Sequence, residues 1–522
     1  MKPEINHASK MRQSFSDGAR SNAYSALRRQ SYGASVTEAA AKAGQFLDKA
    51  IFCLILLLLL YTPLFLIPHV RTLETVLHVK FLLVGFLGNT AAALCVIRLF
   101  LFSLRSHSGR RRSIALATER EVGFRGKHPF TRDPVRLLIL GYAASILISS
   151  LFSGEAAYCL REAMKVLPLL VIVMTFPLIC RSVADFEKIR SVILFSGALV
   201  AIYGLCQYAR IPFLNRWFPY VYEDPASGLL GRNYILSTIG NPEYLGSYLA
   251  PLLLIAFSEI PLGMKRLRGV ISLILCLIFL PALLLTGARG ALIGIAAGGG
   301  MLTIYYFIRL RWTGALKRMG WAPGLLICVA ALTIFLFSFP NPINRYNQAI
   351  WGRFRELTDL RSSSIKERIM FHAIGTEMIA ESPIIGWGEG MFRIQFYPML
   401  VRLEARDEHA GVARFMEELK NRVADHAHND YLQIWAEDGT IGFLTFTLAV
   451  ALVIGRAFIT LFSRRETGEK THVLLTFSAG FLCLLVNAAF SFPLHTPERA
   501  VLFWCLFGVT HAAVLTFERN QQ

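Results

Sequence analysis

Residues 269–309, GVISLILCLIFLPALLLTGARGALIGIAAGGGMLTIYYFIR, hold two apolar runs parted only by the TGARG turn around Arg289. A helix needs roughly 20 apolar residues to cross about 30 Å of hydrocarbon, and each run has that length. No charge other than Arg289 occurs before Arg309. The stretch therefore reads as two membrane-spanning helices, 269–287 and 289–309, with a reversal between them that holds one guanidinium at the membrane surface.

Comparable runs lie outward on both sides, near 51–68, 81–103, 136–153, 165–181, 190–208 and 243–261, then near 321–339, 440–462, 472–491 and 498–516. Their spacing predicts an all-α, polytopic membrane protein with about twelve spans. Composition agrees, because 54% hydrophobic and 17% charged residues over 522 positions do not suit a soluble domain. The nine cysteines are scattered without C-x-x-C spacing and read as packing residues. No period of 20 to 50 residues points to a repeat array.

The net charge of +19 raises the question of a nucleic-acid partner, and the position of the charges answers it. Lys and Arg collect in alternate loops, as the positive-inside rule requires of a membrane protein, which excludes that partner class. Arg105, Arg110, Arg111, Arg112, Arg120, Arg125, Lys127 and Arg132 form one cluster. Lys265, Arg266 and Arg268, then Arg309, Arg311, Lys317 and Arg318, then Arg464, Arg465 and Lys470 form the others. Placing these in the cytoplasm puts both termini there. The expected layout is a cytoplasmic, disordered tail over 1–50 with a short helix near Val36 to Lys49, spans over 51–339, a large outer loop over 340–439, spans over 440–516 and a cytoplasmic end at 517–522. Helix-like patterns near 344–358, 366–380 and 411–423 mark the loop as ordered.

Candidate chemistry gathers on the outer face. Residues 426–442, HAHNDYLQIWAEDGTIG, close the loop and enter the next span. His428 offers an imidazole suited to proton transfer near neutral pH, with Asn429 beside it and Gly439 and Gly442 at the junction. Two other readings stand beside this one: His428 and Asn429 as a helix cap, and His426, His428 and Asp430 as metal ligands, although no zinc-type spacing is present. Arg289 reads either as a snorkelling anchor or as a bidentate grip on phosphate. Arg232 precedes the turn formed by Gly240, Asn241 and Pro242 on the same face. Two guanidiniums and an imidazole in one layer point to a lipid-phosphate substrate from the outer leaflet.

Four segments in order, GNPEYLGSYL, TGARGA, RIMFHAIGTEMIAESPIIGWGEGMF and AHNDYLQIWAEDGTIG, resemble the O-antigen ligase superfamily of bacterial membrane proteins over roughly 230–445. Its ligase-type signature, His-Asn, nine residues, Gly-x-x-Gly, matches His428, Asn429, Gly439 and Gly442. The resemblance implies a GT-C-like glycosyltransferase of the inner membrane that needs no metal or other cofactor. It would move a preassembled glycan from undecaprenyl diphosphate to an acceptor hydroxyl, with lipid A core the favoured acceptor, at the periplasmic face. It further implies His428 as general base with inversion at the anomeric carbon, Arg232 and Arg289 as the essential arginines, and Arg368 as a third. Asn429 would orient the imidazole or the acceptor, and Asn241 would lie at the substrate. Protein O-oligosaccharyltransferases and polysaccharide polymerases share the motifs. A lipid-linked oligosaccharide flippase is the alternative from another class, but transporters place polar groups near the midplane and show internal repeats.

Overall fold

A computed structural model describes residues 41–65, 73–109, 133–209, 235–262, 267–309, 317, 319–339, 341, 363–405, 424–463 and 468–519. Arg232, most of the basic clusters and the patterns at 344–358 and 411–423 lie outside these residues. The described elements are α1 (Ala41–Leu64), α2 (Leu73–Gly109), α3 (Pro134–Phe152), α4 (Ala156–Ile179), α5 (Val183–Tyr208), α6 (Pro242–Phe257) and α7 (Leu267–Thr286). They continue as α8 (Arg289–Arg309), α9 (Ala322–Leu336), α10 (Ser363–Glu381), α11 (Met391–Ala405), α12 (Asp430–Ser463), α13 (Glu469–Ala488) and α14 (Pro497–Arg519). Short 3-10 turns occur at Ile260–Leu262 and Pro493–His495.

Ten of these helices are long and apolar enough to cross a membrane, and α6 and α9 are shorter apolar helices at two further expected span positions. The protein is a polytopic all-α membrane protein. Helix starts follow local chemistry. Asp133 caps α3 ahead of Pro134, and Ser182 with Asp185 forms a reciprocal capping box on α5. Wide apolar faces remain open, including Leu137, Leu140 and Leu151 on α3 and Leu444 and Leu448 on α12. In water such faces would drive association; in a bilayer they face lipid.

Two compact units divide the chain. In the unit formed by Met1–Phe52 with Ala93–Arg125, the start of α1 and the end of α2 are tied by Arg98, whose Nε and Nη2 donate to the Asp48 carboxylate at 2.7 and 3.2 Å. In the other unit, α12 packs along α3, α8 along α13, and α14 along α4, while α6 contacts α7, α8 and α13. There α13 and α14 are the most enclosed spans. Ionisable residues within this bundle are mostly paired, as lipid demands. At the end away from the α12 start, Arg190 pairs with Glu187 and Glu259, and Arg456 with Glu518.

One boundary differs from the sequence reading. Residues 41–50, AKAGQFLDKA, where a short helix is expected within the tail, are helical and run on into the first span, a helix-favouring stretch with one glycine. The span expected at 440 begins at Asp430, so the end of the expected 340–439 loop is the first part of α12. Within the loop, α10 covers the pattern expected at 366–380. It packs with α11 through Met370, Ile374, Met378, Phe392, Phe396 and Met399, and this core reaches Ala427 and Ala436 at the start of α12.

Candidate functional site

Helix α12 starts where Asn429 turns its side chain back on the chain. Its Oδ1 accepts from the N–H groups of Tyr431 at 3.1 Å and Leu432 at 3.2 Å. Asn429 is thus an N-cap, satisfying donors that the first helical turn leaves free. The residue before it, His428, adopts a left-handed backbone with φ 55°. A non-glycine residue rarely takes this conformation, which here swings the imidazole away from the cap. The ring stacks on Phe371 of α10, with centroids 5.5 Å apart, and stands edge-on to Phe492, at 4.7 Å. Its Nδ1 is shut off from solvent and has no hydrogen-bond partner among the described residues.

Three further helices begin around this imidazole or in the same layer. Asn241 caps α6, accepting from Glu243 N at 2.8 Å and Tyr244 N at 3.3 Å, with Pro242 in the first turn and Gly240 at φ 86° before it. The Glu243 carboxylate accepts from Arg368 Nη2 of α10 at 3.0 Å, and Tyr244 meets Phe492 edge to face at 5.3 Å. Arg289 opens α8 directly after the turn from α7, which lies so close to α6 that a Cβ on Gly246 would run into Ala288 and Thr286. Gly290 lies against Asn487 and Phe490 at the end of α13. The segment from Ser491 to Thr496 then leads into α14, where the buried Arg499 places its guanidinium 4.0 Å over the Tyr244 ring and 5.2 Å over Phe492.

The glycines of the signature act on the backbone. Gly439 has φ 69° and ψ −176°, a non-helical break inside α12 that only glycine adopts readily. The break frees carbonyls for the loop after α10: Trp387 N donates to Ala436 O at 3.1 Å and Gly388 N to Glu437 O at 2.8 Å, while Thr440 N donates to Pro383 O at 2.8 Å. A side chain on Gly439 would collide with the Ile384 carbonyl. Gly442 lets α3 approach, since a Cβ there would sit 2.8 Å from Ser145 Oγ. The buried Gln433 links the same turn to the site. Its Oε1 accepts from Ala427 N at 3.0 Å, and its Nε2 lies 3.2 Å from both His426 Nδ1 and Glu437 Oε1.

Burial, first of all, pulls the His428 pKa down to about 4. Glu243 opposes that pull, and Arg368, Arg499 and His372 reinforce it. Burial likewise lowers His426 well below the usual imidazole range and His495 to about 3. All three rings are therefore neutral at pH 7, and the fixed positive charge beside them belongs to Arg368 and Arg499. Across the loop, burial first and Glu162 second push the Glu389 carboxyl up to about 7, against the pull of Lys165.

Of the residues singled out by sequence, His428, Asn429, Arg368 and Asn241 gather around one aromatic group, Arg289 begins a helix in the same layer, and Arg232 lies outside the described residues. The capping reading holds for Asn429, and Asn241, read from the sequence as part of a turn, is an N-cap as well. His426 stacks on His495 at 4.8 Å, whose Nε2 is 3.4 Å from Asp430 Oδ1. Among the described residues no group of three or more His, Cys, Asp or Glu side chains is placed to hold a metal ion. Sequence reasoning passed over Glu243, Phe371, Phe492 and Arg499. The available signal for Arg499 was a charge in the first turn of an apolar run.

No curated protein matches the chain. A family model described as O-antigen ligase matches residues 274–447, a segment that runs from within α7 to within α12 and contains Arg289, Arg368, His428, Asn429, Gly439 and Gly442. Its spans, its signature and that match agree in making residues 274–447 of this polytopic membrane chain similar to the O-antigen ligase family.

Proposed function

We propose that the protein is a metal-independent, inverting glycosyltransferase of the O-antigen ligase type. It moves a preassembled glycan from undecaprenyl diphosphate to an acceptor hydroxyl, with lipid A core as the acceptor, at the periplasmic face of the inner membrane. The observation that carries the reading is the His428 imidazole: neutral at pH 7, clamped between Phe371 and Phe492, with Nδ1 unpaired among the described residues and guanidiniums close by.

His428 takes the proton of the acceptor hydroxyl as its oxygen bonds to the anomeric carbon. The bond from that carbon to the diphosphate oxygen breaks on the opposite side, and undecaprenyl diphosphate leaves with the electron pair. Negative charge grows on the leaving oxygen, and preorganised guanidiniums stabilise it. Arg232 and Arg289 serve there, and Arg368 joins them by exchanging Glu243 for a phosphate oxygen. The arriving anion also offsets the cations that depress His428, which raises its basicity when the donor is bound. Asn429 acts indirectly, by fixing the start of α12 and so the backbone that carries the imidazole.

The orientation is supported by the described basic residues Arg268, Arg309 and Lys470, which lie at helix ends remote from the site. The test is transfer by purified protein in vesicles holding the lipid-linked glycan and a lipid A core acceptor, without a gradient or ATP. Covalent transfer that survives a chelator supports the reading. Movement of the donor across the bilayer without transfer would make the protein a flippase, and loss of activity with chelator would restore a metal at His426 and His428.

A further inference from the structure

We propose that Arg499 is a positioning residue for glycan transfer: it fixes the Phe492 ring, and through that ring the His428 imidazole, while adding a permanent positive charge beside the base. The inference rests on the reading of His428 as proton acceptor.

Arg499 is fully buried in the first turn of α14. Its Nε donates to Thr496 Oγ1 at 2.5 Å, Nη1 to Ser491 Oγ at 3.2 Å and Nη2 to the Phe492 carbonyl at 3.3 Å. None of these partners is charged. The neighbouring Glu498 carboxylate lies 3.7 Å from Lys80 instead. A guanidinium held away from water with no carboxylate among its hydrogen-bond partners in the described residues is expensive, even with Glu498, Glu243 and Asp430 near enough to attract it, and an apolar residue of similar size would pack here at lower free energy. Ionisable groups kept at such depth usually serve function.

The contacts say which function. The guanidinium grips Phe492 twice, at its carbonyl and over its ring, and the other side of that contact path is the edge-on approach of His428 to the same ring. It also lies over Tyr244, which braces Phe492 edge to face. Tyr244 follows Glu243, the partner of Arg368. One path of contacts thus runs from α14 through Phe492 to His428, and through α6 to α10. The charged and titratable groups facing His428 are Glu243 from α6, Arg368 and His372 from α10, Arg499 from α14, and His426 from its own segment. Arg499 also anchors the ring that touches the imidazole, and it is the charged group that does so, the neutral His426 ring packing on Phe492 at 4.5 Å from the imidazole's own segment.

The experiment measures transfer rates in vesicles from about pH 4 to 8 with full-length Arg499→Lys, Arg499→Met, Phe492→Leu, the Arg499→Lys/Phe492→Leu pair and His428→Ala, with thermal melting of each in detergent. Both Arg499 variants are expected to lose about tenfold or more in kcat, with the donor KM within about threefold. The acidic limb of the pH profile should rise in Arg499→Met, which loses the charge, and stay in Arg499→Lys, which keeps it. A merely structural arginine would lower yield and melting temperature without moving that limb. On top of Phe492→Leu, Arg499→Lys should add less than about threefold, because both act on one path. If Arg499→Met does not fold, the lysine variant and its pair with Phe492→Leu carry the test. Full kcat in Arg499→Lys, an unmoved limb in Arg499→Met, or losses that multiply with those of Phe492→Leu would overturn the proposal. With His428→Ala inactive, those results remove Arg499 alone; an active His428→Ala removes both the base and its positioner.

Discussion

An imidazole wedged between two phenylalanines accepts a proton only where something offsets the desolvation of the imidazolium, and around His428 the candidates are Glu243 and the diphosphate of the proposed donor. In the free protein its pKa of about 4 keeps it neutral down to mildly acidic pH. The acidic limb of kcat/KM is therefore expected near pH 4, and that of kcat, which reports the donor-bound state, at higher pH. The stability linkage has a definite sign. A histidine depressed from its ordinary 6.5 binds more protons unfolded than folded, so between about 6.5 and 4 this group removes stability as pH falls, and melting curves across that window should show it. Replacing His428 with Ala is expected to lower transfer by about a hundred- to ten-thousandfold while membrane insertion is unchanged, as glycan transfer and membrane fractionation would show. For Arg289→Lys the expectation is a loss of most activity at saturating donor, because an ammonium keeps the charge but not the planar fork that holds two phosphate oxygens. A rate near that of the unmodified protein would make Arg289 a membrane anchor.

Elements transmit these side-chain roles through their ends. Helices α6, α8, α12 and α14 all begin in the layer of the site, with Asn241 and Asn429 capping two of them, so free N–H groups and positive dipole ends face the place where an anion is expected. The break at Gly439 locks the loop after α10 to α12, which sets the distance from Phe371 to His428. Gly439→Ala is expected to destabilise the protein by more than about 1–3 kcal/mol, since it adds backbone strain to a collision with the Ile384 carbonyl, and melting in detergent would show the drop. Much of this layer was legible in sequence. Asn before a turn of helix, Gly-Asn-Pro ahead of an apolar run and an Arg between two spans all carry a local mark. Phe371, Phe492 and Tyr244 carry none, because an aromatic residue in an apolar segment looks the same whether it packs a core or frames an imidazole. The start of α12 at Asp430 was hidden for a related reason. Asp430, Gln433, Glu437 and Asp438 are polar enough to read as loop, yet all four are buried.

At the scale of the whole molecule, the twelve apolar runs were readable because lipid enforces length and continuity on every span, and each run corresponds to a helix. Direction within the bundle then follows from the described ends. Helices α7 and α13 finish near the site, whereas α6, α8, α12 and α14 start there, so the connections at 263–266, 310–316 and 464–467 join helix ends remote from it. Those connections and their flanks carry Lys265, Arg266, Arg268, Arg309, Arg311, Lys317, Arg464, Arg465 and Lys470. Basic residues close to span ends are retained in the cytoplasm, and on that rule we propose that the far end is the cytoplasmic one and that the site opens outside. The expected outcome is that a reporter active only beyond the cytoplasm works when fused within 340–425 and fails at 104–134 or 464–470. The arrangement is also what the proposed chemistry requires, since an undecaprenyl diphosphate donor carrying a finished glycan would present its sugar to His428 only if the glycan and the imidazole shared a side of the bilayer. A reporter active at 464–470 and silent within 340–425 would place His428 in the cytoplasm, and the proposed transfer at the outer leaflet would have to be abandoned along with the orientation.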